Sequence, residues 1–338
     1  MMQTNISILD QPIQVKNLTI HNRLVMAPME CRKTDERGEV SKEMLDYYDQ
    51  RTQGGDFGLV MTEHHFVSSE GRASAKQLSI VDDSKIASDH DLVELVHRNG
   101  SAIFMQLGHA GMIAKPLAGE GTVIGPCGGT FQMPMMGELT VSEMTVEDIR
   151  RVTECFAKAA VRAKEAGFDG VEIHAAHGYL LSQFYSPLTN HRKDEYTGES
   201  LDGRLRFHTE VLTAIRKAVG DDFPVSIRFG AYDYREGGSS LEEIPEAAKM
   251  LVAAGADILD ISMGMGGGHM LGQPEEGVFS PLAEIVKKAV NVPVITVGNI
   301  HTRQGAENLL QNEKADMTAI GRPIFKDPDF ARNMMRKA

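Results

Sequence analysis

The amino-acid sequence predicts an α/β fold, a single (β/α)8 TIM barrel with a long loop after the third strand. Short β-branched apolar runs alternate with longer amphipathic segments eight times along the 338 residues. Barrels of this kind use about 250 residues or more as one domain, and no Pro/Ser-rich linker divides the chain. We therefore expect residues 1–338 to form one domain.

The strand candidates are near-continuous apolar runs, which are typical of strands buried on both faces of a parallel sheet. Taken in order, they are 23–28, 58–63, 101–107, 169–175, 224–230, 257–262, 293–299 and 317–322. A longer amphipathic segment follows each of them. This order predicts a parallel sheet that closes on itself.

Two of the intervening segments show clearly the apolar period of a helix that packs against a sheet. The stripe in 145–167 consists of Ile149, Val152, Phe156, Ala160 and Ala163. In 239–255, Ser240 stands three residues before Glu243, which predicts a capping box, and Gly255 is placed to end the helix. The stripe of this second helix consists of Leu241, Ile244, Ala248, Leu251 and Val252.

The main irregularity is the segment 108–144, which is rich in Gly, Met and Pro and lies between the third strand and the next helix. Long loops inside a compact domain are usually functional. We expect this one to cover the active site, with the Met-rich stretch 128–138 as an adaptable apolar surface.

Composition excludes several classes of protein. The net charge of -12 disfavours attraction to nucleic acid or to an acidic membrane surface. No apolar run approaches the roughly 18 residues of a membrane span, and the start of the chain lacks a signal pattern. The three cysteines are scattered, which argues against a zinc or iron–sulfur site. We expect a cytoplasmic protein without nucleic-acid or membrane partners.

A barrel predicts that chemistry lies at the C-terminal ends of its strands. The seventh and eighth strand candidates end at Gly298-Asn299 and Gly321-Arg322. Loops after these two strands often bind phosphate through backbone N–H groups, and an arginine adds charge-assisted contacts. The two pairs together therefore predict a phosphate site, although for either pair alone turn glycines and a surface arginine would be the default interpretation.

The end of the fourth strand candidate carries His174, His177 and Tyr179, in the stretch VEIHAAHGYLLSQFYSP. These side chains can bind a metal, polarise a substrate or pack in the core. A metal site needs at least a third ligand. Glu172 shares a face of the strand with His174, and His109 or Glu63 could also contribute. From these residues alone, the three interpretations stay open.

Seven sequence blocks occur in an order that decides between these interpretations. They are NRLVMAPM, GLVMTE, FMQLGHAG, GFDGVEIHAAHGYLLSQFYSPLTNHRKDEY, PVSIRFG, ITVGNI and AIGRPIFKDPD. Together they resemble the old yellow enzyme family, the FMN-dependent ene-reductases, over essentially the whole chain. The long fourth block is the specific one, and the short blocks would each be weak alone.

The resemblance implies non-covalent FMN, loaded by NADH or NADPH, and a small α,β-unsaturated carbonyl substrate. It implies that His174 and His177 polarise the carbonyl oxygen and that Tyr179 supplies a proton. No metal is then expected. Arg228 would stabilise negative charge on the reduced flavin, and Gln106 would face the polar edge of the ring system.

The resemblance also implies which residues line the remaining edges of the cofactor. They are Ala27, Pro28, Met29 and Glu30 at the first strand, and Gly298, Asn299, Gly321 and Arg322 at the last two. Glu30 departs from the family, which commonly has threonine or cysteine there. A carboxylate beside the flavin would resist the addition of electrons, unless it pairs with Arg32.

Some alternatives remain within and outside this resemblance. The flavin could run in the other direction, as a dehydrogenase or desaturase, or the substrate could be a steroid enone or a dienoyl-CoA. A metal-dependent barrel hydrolase that uses His174 and His177 is the distant alternative. Arg336 could reach a neighbouring subunit's active site, as a terminal arginine does in some relatives, so a homo-oligomer stays open.

Overall fold

Eight parallel strands close into a barrel in the computed structural model, which describes residues 6–119, 121–133 and 137–336. We number them β1 (Leu24–Met26), β2 (Leu59–Met61), β3 (Ala102–Gly108), β4 (Gly170–Ala175), β5 (Val225–Tyr232), β6 (Ile258–Met263), β7 (Val294–Val297) and β8 (Met317–Ile320). Each strand pairs in parallel with the next, and β8 pairs with β1, where Thr318 lies opposite Leu24. The predicted fold class and all eight strands are confirmed.

Helices surround this barrel and connect its strands. They are α1 (Lys42–Thr52), α2 (Ile86–Arg98), α3 (Val146–Glu165), α4 (Leu180–Tyr185), α5 (Leu201–Val219), α6 (Ile244–Ala253), α7 (Ser280–Ala289), α8 (Arg303–Gln311), α9 (Pro323–Lys326) and α10 (Phe330–Met335). The stripe predicted for α3 is buried, and Thr145 and Asp148 cap this helix reciprocally. Within the described residues, no helix is long and apolar enough to cross a membrane.

The start predicted for the sixth helix is wrong. α6 begins at Ile244 instead of near Ser240, and Leu241 is 41% exposed. The hydroxyl of Ser240 interacts with Glu242 instead of capping the helix. The carboxylate of Glu243 accepts a hydrogen bond from Arg204 at 2.5 Å, so it is unavailable for a capping box. The predicted end is confirmed, since α6 stops at Ala253, just before Gly255.

The segment 108–144 forms a small structure of its own. It contains a 3-10 turn at Gly111–Ile113 and a sheet of the short strands Ile124–Gly125, Gly129–Met133 and Gly137–Glu143. Residues 134–136, in the middle of the Met-rich stretch, lie outside the described residues.

The remaining short elements are not part of the closed ring of eight strands, although His65–Phe66 pairs in parallel with the end of β3 and with Leu78–Ser79. Their bounds are Ile13–Val15, Leu18–Ile20, His65–Phe66 and Leu78–Ser79 for the strands, and Ile8–Asp10, Ser69–Gly71, Asp83–Lys85 and Gly268–Gly272 for the 3-10 turns. Ile13–Val15 and Leu18–Ile20 pair as a hairpin. Its residues Val15 and Ile20 pack against the side chains that fill the barrel interior.

The alternation of side chains along each strand positions the polar residues. On β4, Val171 and Ile173 face outward into the apolar layer between the strands and the helices. Glu172 and His174 therefore face the barrel interior. Arg228 on β5 faces inward by the same rule, because Ile227 and Phe229 belong to the outer layer. The strand register then sets Glu172 beside Gln106, and Arg228 beside both His174 and Asp260.

Candidate active site

The C-terminal ends of the barrel strands open into a cavity of about 370 Å³. Every site residue predicted from the sequence lines it. These residues are Ala27, Pro28, Met29, Glu30, Gln106, His174, His177, Tyr179, Arg228, Gly298, Asn299, Gly321 and Arg322. The structure thus brings them together, while their individual roles stay predictions.

Three aromatic rings form one side of the cavity, after β4. The rings of His174 and His177 are nearly perpendicular, with centroids 5.1 Å apart, and Tyr179 stacks on His174 at 4.4 Å. The chain turns sharply between them, and both His177 and Gly178 have positive φ angles. Tyr179 then forms the N-terminal boundary of α4. The turn brings all three rings to one surface.

Burial decides the protonation states of these rings. It lowers the pKa of His177 to about 3, with a further contribution from the charge of Arg228. It also holds the pKa of His174 well below the ordinary value. Burial raises the pKa of Tyr179 to about 12, and the nearby charge of Glu30 adds to this. At neutral pH the site therefore presents two uncharged imidazoles beside a protonated phenol.

Hydrogen bonds orient the two imidazoles. Nδ1 of His174 accepts from the backbone N–H of Ala176 at 3.3 Å, which leaves the ring proton on Nε2. Nε2 of His177 lies 2.7 Å from the hydroxyl of Ser262 on β6. If this hydroxyl donates, the proton of His177 is on Nδ1. Sequence analysis missed Ser262, although a polar residue at the end of a buried strand was a usable signal.

A buried polar layer lies next to these three rings. The amide nitrogen of Gln106 donates to Glu172 at 2.9 Å, and the hydroxyl of Ser226 donates to the same carboxyl group at 3.0 Å. Burial raises the pKa of Glu172 above its ordinary value, and the charge of the neighbouring Asp260 acts in the same direction. Glu172 thus holds the side chain of Gln106 in place from below the cavity. Sequence analysis did not identify Glu172 as the partner of Gln106.

Arg228 has a carboxylate partner on the neighbouring strand β6. Its Nη1 lies 3.4 Å from Oδ2 of Asp260, and both side chains are buried. This ion pair lacks hydrogen-bond geometry, so Nε and Nη1 of Arg228 have no hydrogen-bond partner among the described residues. Buried N–H groups without partners are rare in folded proteins. At the wall of a cavity, they are consistent with an anionic or carbonyl-bearing ligand.

The opposite end of the cavity is formed by the turns after β7 and β8. Gly298 has a φ angle of +110°, and a Cβ there would lie 2.7 Å from the side chain of Val278. Nη2 of Arg322 donates to the side-chain oxygen of Asn299, whose amide nitrogen in turn donates to the carbonyl of Gln273 at 2.7 Å. Backbone turns and a cation are the groups that bind phosphate.

Glu30 lines the cavity but also has partners of its own. Its carboxylate accepts from the hydroxyl of Ser74 and lies 3.4 Å from Nε of Arg32. Because Glu30 pairs with Arg32, we expect its carboxylate to oppose the addition of electrons to the flavin less than an unpaired carboxylate would. The next residue, Cys31, turns to Glu63, which accepts from its backbone N–H at 2.5 Å and its thiol at 3.2 Å.

His64, three residues after the end of β2, is a cavity residue that sequence analysis did not single out. Its ring centroid lies 5.3 Å from that of Tyr179 and 6.0 Å from that of His174. The signal was present in the sequence, since a titratable side chain immediately follows a predicted barrel strand. The motif TEHH contains two consecutive histidines, His64 and His65, and only His64 lines the cavity. The sequence alone does not show which of the two does so.

The residues considered as additional metal ligands have other partners. Glu172 accepts from Gln106 and Ser226, and Glu63 accepts from Cys31. Nδ1 of His109 accepts from the backbone N–H of Gly111 at 3.0 Å. In the part of the chain that the structure describes, no group of three or more His, Cys, Asp or Glu residues could hold a metal ion.

Two other predictions concern residues outside this cavity. Among the described residues of 108–144, none lines the cavity, so the expected covering role stays a prediction. Arg336 is exposed after α10, and its backbone N–H bonds to the carbonyl of Arg332. Its reach into a neighbouring subunit also stays a prediction.

The cavity fits FMN by its donor set. The unsatisfied N–H groups of Arg228 suit the carbonyl-bearing ring, and the turns at Gly298 and Gly321 with Arg322 suit the phosphate. At Gly321, a Cβ would lie 2.8 Å from the sulfur of Met29, so a larger residue there would have to displace the Met29 side chain. The cavity thus carries the two kinds of group that FMN requires.

A comparison with protein families agrees with this fit. Residues 9–337 match the model of the NADH:flavin oxidoreductase / NADH oxidase family, also known as the old yellow enzyme family.

The chain belongs to this family.

Its cofactor is accordingly FMN, with a nicotinamide nucleotide as reductant, and the barrel is an FMN-dependent NAD(P)H oxidoreductase.

Individual relatives span different lengths. The chain is 42% identical to an NADH oxidase of Thermoanaerobacter brockii over 327 residues, which cover 94% of this chain and 49% of that protein. It is 37% identical to an NADPH dehydrogenase of Bacillus velezensis over 331 residues, with 96% and 94% covered. A cinnamate reductase of Clostridium sporogenes is 35% identical over 354 residues, with 97% and 53% covered. The chain thus spans about half of two of these relatives.

Two solved structures share the fold. Morphinone reductase superposes with a TM-score of 0.80 at 26% identity, covering 96% of this chain and 88% of that one. A 2-naphthoyl-CoA reductase complex superposes with a TM-score of 0.88 at 29% identity, covering 96% of this chain and 51% of the other.

Proposed function

We propose that this flavoprotein reduces the activated C=C bond of α,β-unsaturated carbonyl compounds. The observation that carries the proposal is the arrangement of His174, His177 and Tyr179 on one surface of the cavity. Reduction of such a bond needs a hydride at the β carbon, stabilisation of the developing enolate oxygen and a proton at the α carbon. The three side chains can supply the stabilisation of the enolate oxygen and the proton.

His174 and His177 act as the oxyanion site. Both imidazoles are uncharged, so each has one N–H to donate, and their hydrogen bonds to Ala176 and Ser262 orient those donors. Two fixed donors in a buried site stabilise a developing oxyanion more than water does. The substrate carbonyl oxygen is bound between these two rings.

Tyr179 acts as the proton donor. It stacks on His174 at 4.4 Å, so it lies next to the carbon adjacent to the bound carbonyl. Its pKa, raised to about 12, keeps the proton on the phenol until a strongly basic carbanion forms. The bond that forms is C–H at the α carbon, and the phenolate then regains a proton from solvent.

Bound FMN would supply the hydride chemistry, taking a hydride from NAD(P)H and delivering it to the β carbon. Arg228, Gln106 and the residues of the first strand end would hold its ring system, and the glycine turns with Arg322 would hold its phosphate. One cavity has to receive both the nicotinamide and the substrate, so the two alternate in ping-pong order. The names of two relatives, a cinnamate reductase and a morphinone reductase, support the reductive direction.

Anaerobic half-reactions test the proposal. Enzyme reduced with NADH or NADPH is mixed with cyclohex-2-enone, or with cyclohexanone as the saturated control. We expect the flavin absorbance to return only with the enone. Tyr179→Phe should keep its rate of reduction but slow reoxidation at least about 100-fold, the scale of general-acid catalysis. Reoxidation by neither ketone, or an unchanged rate in Tyr179→Phe, would contradict the proposal.

A further inference from the structure

The two consecutive histidines after β2 have opposite environments. Both ring nitrogens of His65 have partners, since Nδ1 lies 3.0 Å from the carbonyl of Glu63 and Nε2 lies 3.3 Å from Asp89. His64 is also buried, although 9% of its surface is exposed, against 0% for His65. Its Nε2 is buried, however, and has no hydrogen-bond partner among the described residues. A buried polar atom without a partner costs free energy, so its retention requires an explanation.

The position of His64 supplies that explanation. Its ring lies at the wall of the cavity, nearer to Tyr179 (5.3 Å between centroids) than to His174 (6.0 Å). The proposed function places the carbonyl oxygen at His174 and His177, and the α carbon at Tyr179. The ring of His64, which is adjacent to Tyr179, therefore faces the substituent that the substrate carries on its α carbon.

We propose that His64 is a specificity residue that hydrogen-bonds a neutral polar substituent, such as a hydroxyl or carbonyl group, on the α carbon of the substrate. This inference rests on the proposed function, which supplies the orientation of the substrate. A hydrogen-bonding site of this kind rejects an isostere that lacks the polar group, because the buried imidazole is then left without a partner.

Two charge arguments favour a neutral substituent over an acid. Burial lowers the pKa of His64 to about 4, so its ring is uncharged at neutral pH and gives an acid no ion pair. Glu30 lines the same cavity, and its negative charge acts on both His64 and Tyr179. A second carboxylate near these rings would be repelled.

Binding of matched phenols to the oxidised FMN enzyme provides the test. A phenol oxygen occupies the oxyanion site, so its ortho position corresponds to the α carbon. 2-(Hydroxymethyl)phenol and 2-ethylphenol have nearly the same shape and differ in one hydroxyl group. Dissociation constants come from the change in flavin absorbance. The quantity compared between variants is the ratio of the two constants, which removes the intrinsic difference between the ligands.

We expect the wild-type preference for the hydroxymethyl ligand to fall about tenfold in His64→Leu, the change that corresponds to one hydrogen bond. His64→Gln keeps a donor and an acceptor, and should restore part of the preference. The control is His65→Gln, which should lower the melting temperature through its contact with Asp89 but leave the ratio unchanged.

The outcomes separate the two proposals. A ratio that stays the same in His64→Leu overturns the role of His64 while leaving the proposed function intact. An equal loss in His65→Gln also overturns it, because the effect would then come from packing of the loop. If neither phenol binds the wild-type enzyme, the oxyanion site itself is wrong, and the role of His64 fails with it.

Discussion

The end of the cavity after β7 and β8 and the side after β4 are built from different kinds of group. The first consists of glycine turns at positions 298 and 321 and an exposed arginine, Arg322. The second consists of buried rings, His174, His177 and Tyr179, whose pKa values are shifted by that burial. One end depends on backbone shape and the other on protonation state.

This difference predicts unequal sensitivity to substitution. Backbone N–H groups persist when a side chain is removed, so the glycine-rich end keeps most of its donors if Arg322 is lost. A site made of two imidazoles loses a donor with each substitution, and the remaining buried groups are then left without partners. The largest effects should therefore come from the ring side.

The largest expected effect is that of the double variant His174→Ala with His177→Ala. Two hydrogen bonds to a phenolate oxygen are lost, so phenol affinity should fall at least about 100-fold. Absorbance titration of the oxidised enzyme with phenol measures it. Tyr179→Phe is the control and should retain phenol binding. If the double variant keeps both its FMN and its affinity for phenol, the expectation that the ring side is the more sensitive to substitution is contradicted.

An intermediate effect is expected for Arg322→Ala. One charge-assisted contact to phosphate would be lost, so FMN affinity should fall about tenfold. FMN occupancy after extensive dialysis, read from the ratio of visible to ultraviolet absorbance, measures this. Lys326→Ala, an exposed cation on α9 outside the cavity lining, is the matched control. Equal occupancy in the two variants would contradict the phosphate assignment.

The smallest effect is expected from pH, on the ring side itself. The lowered pKa values mean that each imidazole gains a proton only when the pH falls through the lowered value, about 3 for His177. Between pH 5 and pH 8, neither ring should change its charge. A plot of the logarithm of phenol affinity against pH should therefore show no inflection that comes from these two rings over that range. An inflection near the ordinary value of about 6.5 would show that the rings titrate like exposed histidines.

The sequence was most informative where one physical rule acts over a long stretch. Apolar strand runs predicted the barrel, and the rule that chemistry lies at strand ends directed attention to His174 and Arg322. The prediction of where α6 begins was wrong because Glu243 pairs with Arg204, a partner 39 positions away in the chain. A local capping pattern carries no information about such a competitor.

The partners of the site residues were harder to predict than the residues. Asp260 faces Arg228 because β5 and β6 are in register, and a period of two places both side chains in the barrel interior. Register between separate strands is fixed by the whole sheet, so the sequence alone did not identify the pair. His64 was missed for a related reason, since only three-dimensional placement distinguishes it from His65.

The pairing of β8 with β1 also has a consequence for synthesis of the protein. Thr318 lies opposite Leu24, so the barrel closes through a contact between residues that are nearly the whole chain apart. The cavity draws on both partners, with Ala27 and Pro28 beside one strand and Gly321 and Arg322 beside the other. A nascent chain thus completes its cofactor site only when the eighth strand leaves the ribosome. Until then, its earlier strands present open edges, which are the surfaces that chaperones protect.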